Sequence, residues 1–234
     1  MADRRSQTGL WTGLAPLRSL APIWMASSLV LVVLVQQDTV PQDQLLLDPY
    51  SSYGLPWYTG LVSSLGVLGW TSATVVAACA GWLSRVVERR AASEMFFGGA
   101  LLSTLLTLDD LFQLHIVVTK HLGIPKVSFY GLYAVLGLAW AIHNLQELRR
   151  SPYPVLIAAG SAMVTSVFVD RFGSTIGLDA TTSLVAEDVA KFLGILAWAT
   201  FFVSTAKAVG RSILVSVAQR SADLLPSRFQ ATVR

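Results

Sequence analysis

The sequence predicts an all-α, polytopic membrane bundle of six transmembrane helices with both termini in the cytoplasm, and three observations carry that prediction. Of its residues, 53% are hydrophobic and only 13% are charged, about half the charge of an average soluble domain. The apolar residues fall into runs near 20 residues, the length that crosses a bilayer core of about 30 Å. The basic residues alternate strictly from one connection to the next. No strand-like alternation of apolar and polar residues competes with the helical reading.

The first run, Ser19–Gln37, follows Arg4, Arg5 and Arg18. It resembles a signal peptide in its charge, but Gln36-Gln37-Asp38-Thr39 offers no small-x-small cleavage site, so an uncleaved first span is expected. The next five runs are Trp57–Leu83, Met95–Val118, Val127–Leu145, Val155–Asp170 and Leu184–Ala206. The second run carries Gly60, Ser63, Gly66, Gly69, Ala73, Ala77 and Gly81, small residues that let helices approach closely. The lone Cys79 sits in that run and has no second cysteine to pair with. No internal repeat is evident.

Orientation follows from charge. The N-terminus, the Ser84–Glu94 and Gln146–Pro154 connections and the C-terminus together hold thirteen Lys and Arg, whereas the opposite side holds only Lys120, Lys126 and Arg171. The positive-inside bias then places both termini in the cytoplasm of a cell inner (plasma) membrane protein. The outer face is acidic, with Asp38, Asp43, Asp48 and Asp179, and its first loop ends in Tyr53, Trp57 and Tyr58, an interfacial belt.

Residues 1–208 are expected to form the membrane domain and 209–234 a basic amphipathic tail. Lys207, Arg211 and Arg220, set among Ile213, Leu214 and Val217, would contact anionic lipids of the inner leaflet. The lipid bilayer is the expected partner, together with a second membrane protein or another copy of the chain. No soluble basic fold for nucleic acid is present.

The chemistry concentrates in the third span. Asp109 and Asp110 are adjacent within an apolar run, and an ionised Asp at mid-membrane costs roughly 2.5–3.5 kcal/mol on the lenient scales. Asp109 lies about 21 Å along the helix from Met95 at 1.5 Å per residue, in the outer half, too far from either predicted helix end for capping. His115 follows further out. Asp170 ends the fifth span. Glu187, Asp188 and Lys191 begin the sixth. Asp109, Asp110, His115, Asp170, Glu187, Asp188 and Lys191 should therefore lie at one depth, provided spans three, five and six are neighbours.

Helical spacing refines this picture. Adjacent acids point about 100° apart, so Asp109 and Asp110 face different neighbours. Glu187 and Lys191 stand at i, i+4 in the favourable order for an ion pair. Asp170 and Arg171 suit a helix-end pair, and Glu187 and Asp188 suit a helix N-terminus.

Three function classes are compatible with these residues. The leading one is cation or proton binding, with transport as the activity it would serve, in which clustered carboxylates share a proton or hold a cation and Lys191 is a counter-ion that the ligand displaces. The second is a structural or assembly subunit, its polar residues joining helices. The third is a metal-dependent membrane hydrolase acting on a lipid or amide. In it Asp109, Asp110, His115 and Asp188 would ligate the metal, and a carboxylate-rich set favours a divalent cation of the calcium, magnesium or manganese kind. No GxSxG, no CxxC and no nucleotide or haem motif appears.

Overall fold

The computed structural model describes residues 59–223 without interruption, with Met25, Leu29, Val32, Val33, Gln36 and residues 54–56 before them, and side chains through Gln219. The expected first span apart from those five residues, the outer loop 38–53 and the tail beyond Asp223, with the Arg220 side chain, lie outside the described residues. The chain divides into two units, Met1–Thr59 and Gly60–Arg234. All seven candidate ion-site residues belong to the second.

Among its described residues the second unit is helical throughout, with seven helices: α1 (Leu61–Val86), α2 (Arg90–Phe112), α3 (Leu114–Leu122), α4 (Lys126–His143), α5 (Leu145–Arg149), α6 (Tyr153–Phe172) and α7 (Ala180–Asp223). Four are long and apolar enough to cross a membrane: α1, α2, α6 and α7 over Ala180–Gln219. Only 17–39% of the residues in their most apolar windows are buried. They carry exposed Leu and Val such as Leu68, Leu101, Val164 and Leu193, and α4 adds Leu138 and Ile142, far more apolar surface than a water-soluble monomer carries.

Helices α1 and α2 form a tight hairpin. Glu88 adopts a left-handed φ of 62°. The Glu88 N–H then bonds the Arg85 carbonyl at 3.1 Å and the Arg89 N–H bonds that of Ser84 at 2.8 Å, a Schellman end. The Ser93 hydroxyl donates to the Gly81 carbonyl across the hairpin at 3.0 Å. Helix α1 packs on both α2 and α7, and α7 on α6. The small-residue face of α1 serves this: Gly66 and Gly69 lie against Ile195 of α7.

The core is aromatic. Phe96, Phe201 and Phe202 are fully buried, with Trp70 and Trp140 close behind. Trp198 stands 5.5 Å from Trp140 and 6.1 Å from Trp70, ring centre to ring centre. A side chain at Gly98 would bring its Cβ to 2.6 Å from Trp140 Cδ1, and one at Gly99 would enter the Phe202 ring. Glycine is needed at both because two helices meet there around bulky rings. Trp140 Nε1 donates to the Met95 carbonyl at 2.9 Å, which satisfies the one polar atom of a buried indole.

Two expected boundaries are corrected. The third span is not one helix. It breaks at Gln113, whose φ of 49° and ψ of 44° are left-handed, and resumes as α3. The sixth is not confined to Leu184–Ala206. It runs 44 residues from Ala180 to Asp223, about 66 Å at 1.5 Å per residue. The stretch 209–223, expected in a separate tail, continues this helix. Ile213 is buried within it, and Arg89 Nη1 reaches Ser212 Oγ at 2.5 Å.

Candidate functional site

The seven expected site residues do not make one cluster. They divide into three arrangements along the helix seams.

The first closes the break after α2. Asp109 is buried, with 6% of its surface exposed. Its Oδ1 accepts the backbone N–H of His115 at 2.8 Å, and its Oδ2 stands 3.0 Å from His115 Nδ1. The ring nitrogen donates when Nδ1 carries the proton. A helix start leaves N–H groups without partners, and Asp109 takes one of those at the start of α3. The expectation that Asp109 lies too far from a helix end for capping is therefore wrong. The end is four residues away, and no Gly or Pro announces it. Tyr133 of α4 lies within electrostatic reach of the same carboxylate.

The second joins α1, α2 and α7. Asp110 Oδ1 accepts Lys191 Nζ at 2.5 Å and its Oδ2 accepts Trp70 Nε1 at 2.9 Å. The side chain of Asp110 is 12% exposed and that of Lys191 38%. Beside the pair lies a cleft of about 50 Å³, lined in part by Val62, Ser63 and Gly66 of α1, Asp110 of α2, and Asp188 and Lys191 of α7. That is room for a few water-sized occupants. Counted as ionised, its two carboxylates and one ammonium leave a formal charge of −1. Lys191 was expected to pair with Glu187 one turn away. It reaches across to α2 instead.

The third joins α4, α6 and α7. Lys126 Nζ sits 3.0 Å from Asp170 and 3.8 Å from Glu187 Oε1, and the Tyr130 hydroxyl donates to Asp170 Oδ2 at 2.8 Å. Asp170 therefore does not pair with its neighbour Arg171, and Lys126 is the first residue of α4 rather than part of a loop. This group too holds two acids and one lysine.

The start of α7 is capped by neither Glu187 nor Asp188, which lie two turns inside. Asp179 does this: its Oδ1 accepts the N–H groups of Thr181 and Thr182, both at 3.0 Å, and its Oδ2 the Thr182 hydroxyl at 2.5 Å. The Thr182 hydroxyl, with the backbone N–H groups of Thr182 and Thr181, holds the Asp179 carboxyl below its usual pKa.

The runs expected as spans three and six meet through the Asp110–Lys191 bond, and those expected as five and six pack together. The adjacent acids do point to different neighbours: Asp109 to α3, Asp110 to α1 and α7. Among the described residues no group of three or more His, Cys, Asp and Glu gathers as metal ligands. Asp109, Asp110, His115 and Asp188 do not form such a set. His143 lies 3.7 Å from Glu94 in an exposed pair. Of the basic residues expected to contact lipid, Lys207 and Arg211 are exposed on α7.

Sequence reasoning missed Trp70, Tyr130 and Lys126. The available signal for the first two was an indole N–H and a phenol inside apolar spans, each of which needs an acceptor when buried.

A family model described as Domain of unknown function (DUF8692) matches residues 20–205. No curated protein and no solved structure matches the chain.

Proposed function

The chain belongs to the DUF8692 family, and from the geometry of its helix seams we propose that it is a six-span inner-membrane protein that binds a proton or small cation at the Asp110–Asp188–Lys191 cleft. The observation that carries this reading is the charge of that cleft. Two acids and one lysine line a space of about 50 Å³, and of the two acids only Asp110 bonds the lysine. In surroundings of low dielectric a net negative charge is costly, and one bound proton or monovalent cation cancels it. Lys191 acts as the resident cation on Asp110. An incoming ion takes Asp188 first and then competes with the ammonium for Asp110.

Six spans are supported by the four long apolar helices and by α4, whose 18 residues cover about 27 Å, with residues 19–37 supplying the remaining one. The alternation of basic residues supports cytoplasmic termini and puts the cleft toward the outside. Transport is the activity such a site would serve.

The test is thermal unfolding of the purified protein with sodium, potassium, magnesium or no added salt, at several pH values. Stabilisation by a cation or by a proton is expected, and Asp110→Asn with Asp188→Asn should remove it. A response that survives both substitutions sinks the reading.

A second reading has its own observation. Asp109, Asp110 and Asp170 are each already held by protein donors from other helices or across a helix break, so the acids also suit a structural or assembly subunit. Unfolding independent of every cation and of pH, with a stoichiometric membrane partner in the purified sample, would favour that role. The hydrolase reading finds no gathered donor set among the described residues.

A further inference from the structure

The break between α2 and α3 is unusual for what surrounds it. A single residue, Gln113, separates the two helices, and it takes a left-handed φ of 49° that Gly would adopt without strain. The sequence on either side, Leu-Thr-Leu-Asp-Asp-Leu-Phe-Gln-Leu-His-Ile-Val-Val, contains no Gly and no Pro. Its local preference is one continuous helix from Arg90 to Leu122, and sharp helix bends without such residues need another cause.

That cause is visible. The Asp109 carboxylate holds both the backbone N–H and the ring of His115, six residues ahead. In a straight helix the His115 N–H would turn to the Leu111 carbonyl, so the two arrangements exclude each other. Each satisfies that N–H group, one through a side chain and the other through the helix itself. The backbone carries one further bond of the bent form: the Ile116 N–H reaches the Gln113 carbonyl at 2.8 Å, where a straight helix would take it to Phe112.

We propose that the α2–α3 junction is a two-state element, bent at Gln113 while Asp109 clasps His115 and straightening into one helix when the clasp opens. Such elements turn a local exchange of bonds into a displacement of everything beyond them. Here α3, Gly123 and the entry to α4 lie beyond. The junction also borders the cleft, because Asp110 is the next residue after the clasp and Lys191 holds it. Straightening the backbone from Asp109 to Gln113 shifts the carboxylate that Lys191 grips. The bend does not depend on whether that cleft binds an ion.

Spin labels at Leu101→Cys on α2 and Leu122→Cys at the end of α3, both exposed, in a Cys79→Ser background, measure the bend in the full chain. A continuous helix separates these positions by about 32 Å along the axis, and the bent form is shorter. The unaltered junction should give the short distance. Asp109→Ala removes the clasp. Gln113→Val leaves the clasp residues alone and makes the left-handed conformation prohibitive for a β-branched residue, and since Gln113 is exposed it removes no buried contact. Each is expected to move most of the distribution to about 32 Å. The proposal is overturned if the unaltered junction already peaks there, or if the variants that fold keep the short distance.

Discussion

The two lysine sites have the same inventory and different surroundings. Lys126 pairs with Asp170 and Glu187, Lys191 pairs with Asp110 and lines a cleft with Asp188, and so adjacent residues of α7, Glu187 and Asp188, supply one acid to each site. At Lys126 the second acid, Asp170, is closed over by the Tyr130 hydroxyl, and Glu187 approaches the same ammonium. At Lys191 the acid Asp110 is shut on one side by the Trp70 indole and open on the other to the cleft, where Asp188 has the freedom of an exposed side chain. Equal charge therefore does not mean equal capacity for a ligand. The lesson is that the space beside an ion pair separates a clamp from a site.

That contrast can be broken by substitution. The largest effect is expected from Asp110→Leu, which leaves the Lys191 ammonium and the Trp70 N–H without their acceptor. With Lys191 partly exposed, a loss of about 1–3 kcal/mol in unfolding free energy is expected. Asp170→Leu at the more exposed site should cost about 1 kcal/mol or less. Unfolding in detergent measures both, and an equal or larger loss at Asp170 would erase the distinction. Adding Lys191→Met to Asp110→Leu should recover much of the loss, because an uncompensated charge is worse than no charge.

Smaller effects sharpen the comparison. Trp70→Phe and Tyr130→Phe each delete one hydrogen-bond donor to a carboxylate and should cost about 0.5–1.5 kcal/mol. Only Trp70→Phe is expected to alter the cation response, since only its carboxylate lines the cleft. The same response after both changes would argue that the cleft is incidental.

The smallest effect is at Asp179, which belongs to neither site. Its carboxyl is held below its usual pKa by the Thr182 hydroxyl and the Thr182 and Thr181 N–H groups. Its stabilisation of the first turn of α7 is therefore present above the unfolded value of about 3.9 and is lost as pH falls through the lower, folded value. Protection of the Thr181 and Thr182 amides, measured against their intrinsic exchange rates, should fall on acidification below about pH 4, and Asp179→Ala should remove that change in protection.

Much of the architecture was legible because burial in a bilayer writes itself in composition. The runs read as spans two, four and five coincide with α1, α4 and α6 to within a few residues, and the small residues of α1 lie where it meets its neighbours, Gly66 and Gly69 against α7 and Gly81 against α2. The break at Gln113 was not legible, since nothing local marks it and its cause is a carboxylate four residues before it. The pairing of acids with lysines was misread for a related reason. Spacing at i, i+4 favours Glu187 with Lys191, yet an exposed pair of that kind contributes only about 0.2–0.5 kcal/mol. Packing that brings Asp110 or Lys126 from another helix easily outweighs it. Trp70 and Tyr130 passed as apolar bulk because their single polar atoms leave no trace in a hydropathy profile.

The length of α7 has a mechanical meaning. One unbroken rod carries Lys191 against Asp110 near one end and Ser212 against Arg89 some 21 residues later, about 32 Å along the axis. A helix resists twisting about its own axis. A turn that carries Lys191 off its carboxylate is felt at the α1–α2 hairpin as a torque on Ser212, and a pull on the hairpin is felt in return at the lysine. The rod makes the two grips a single shaft with a handle at either end.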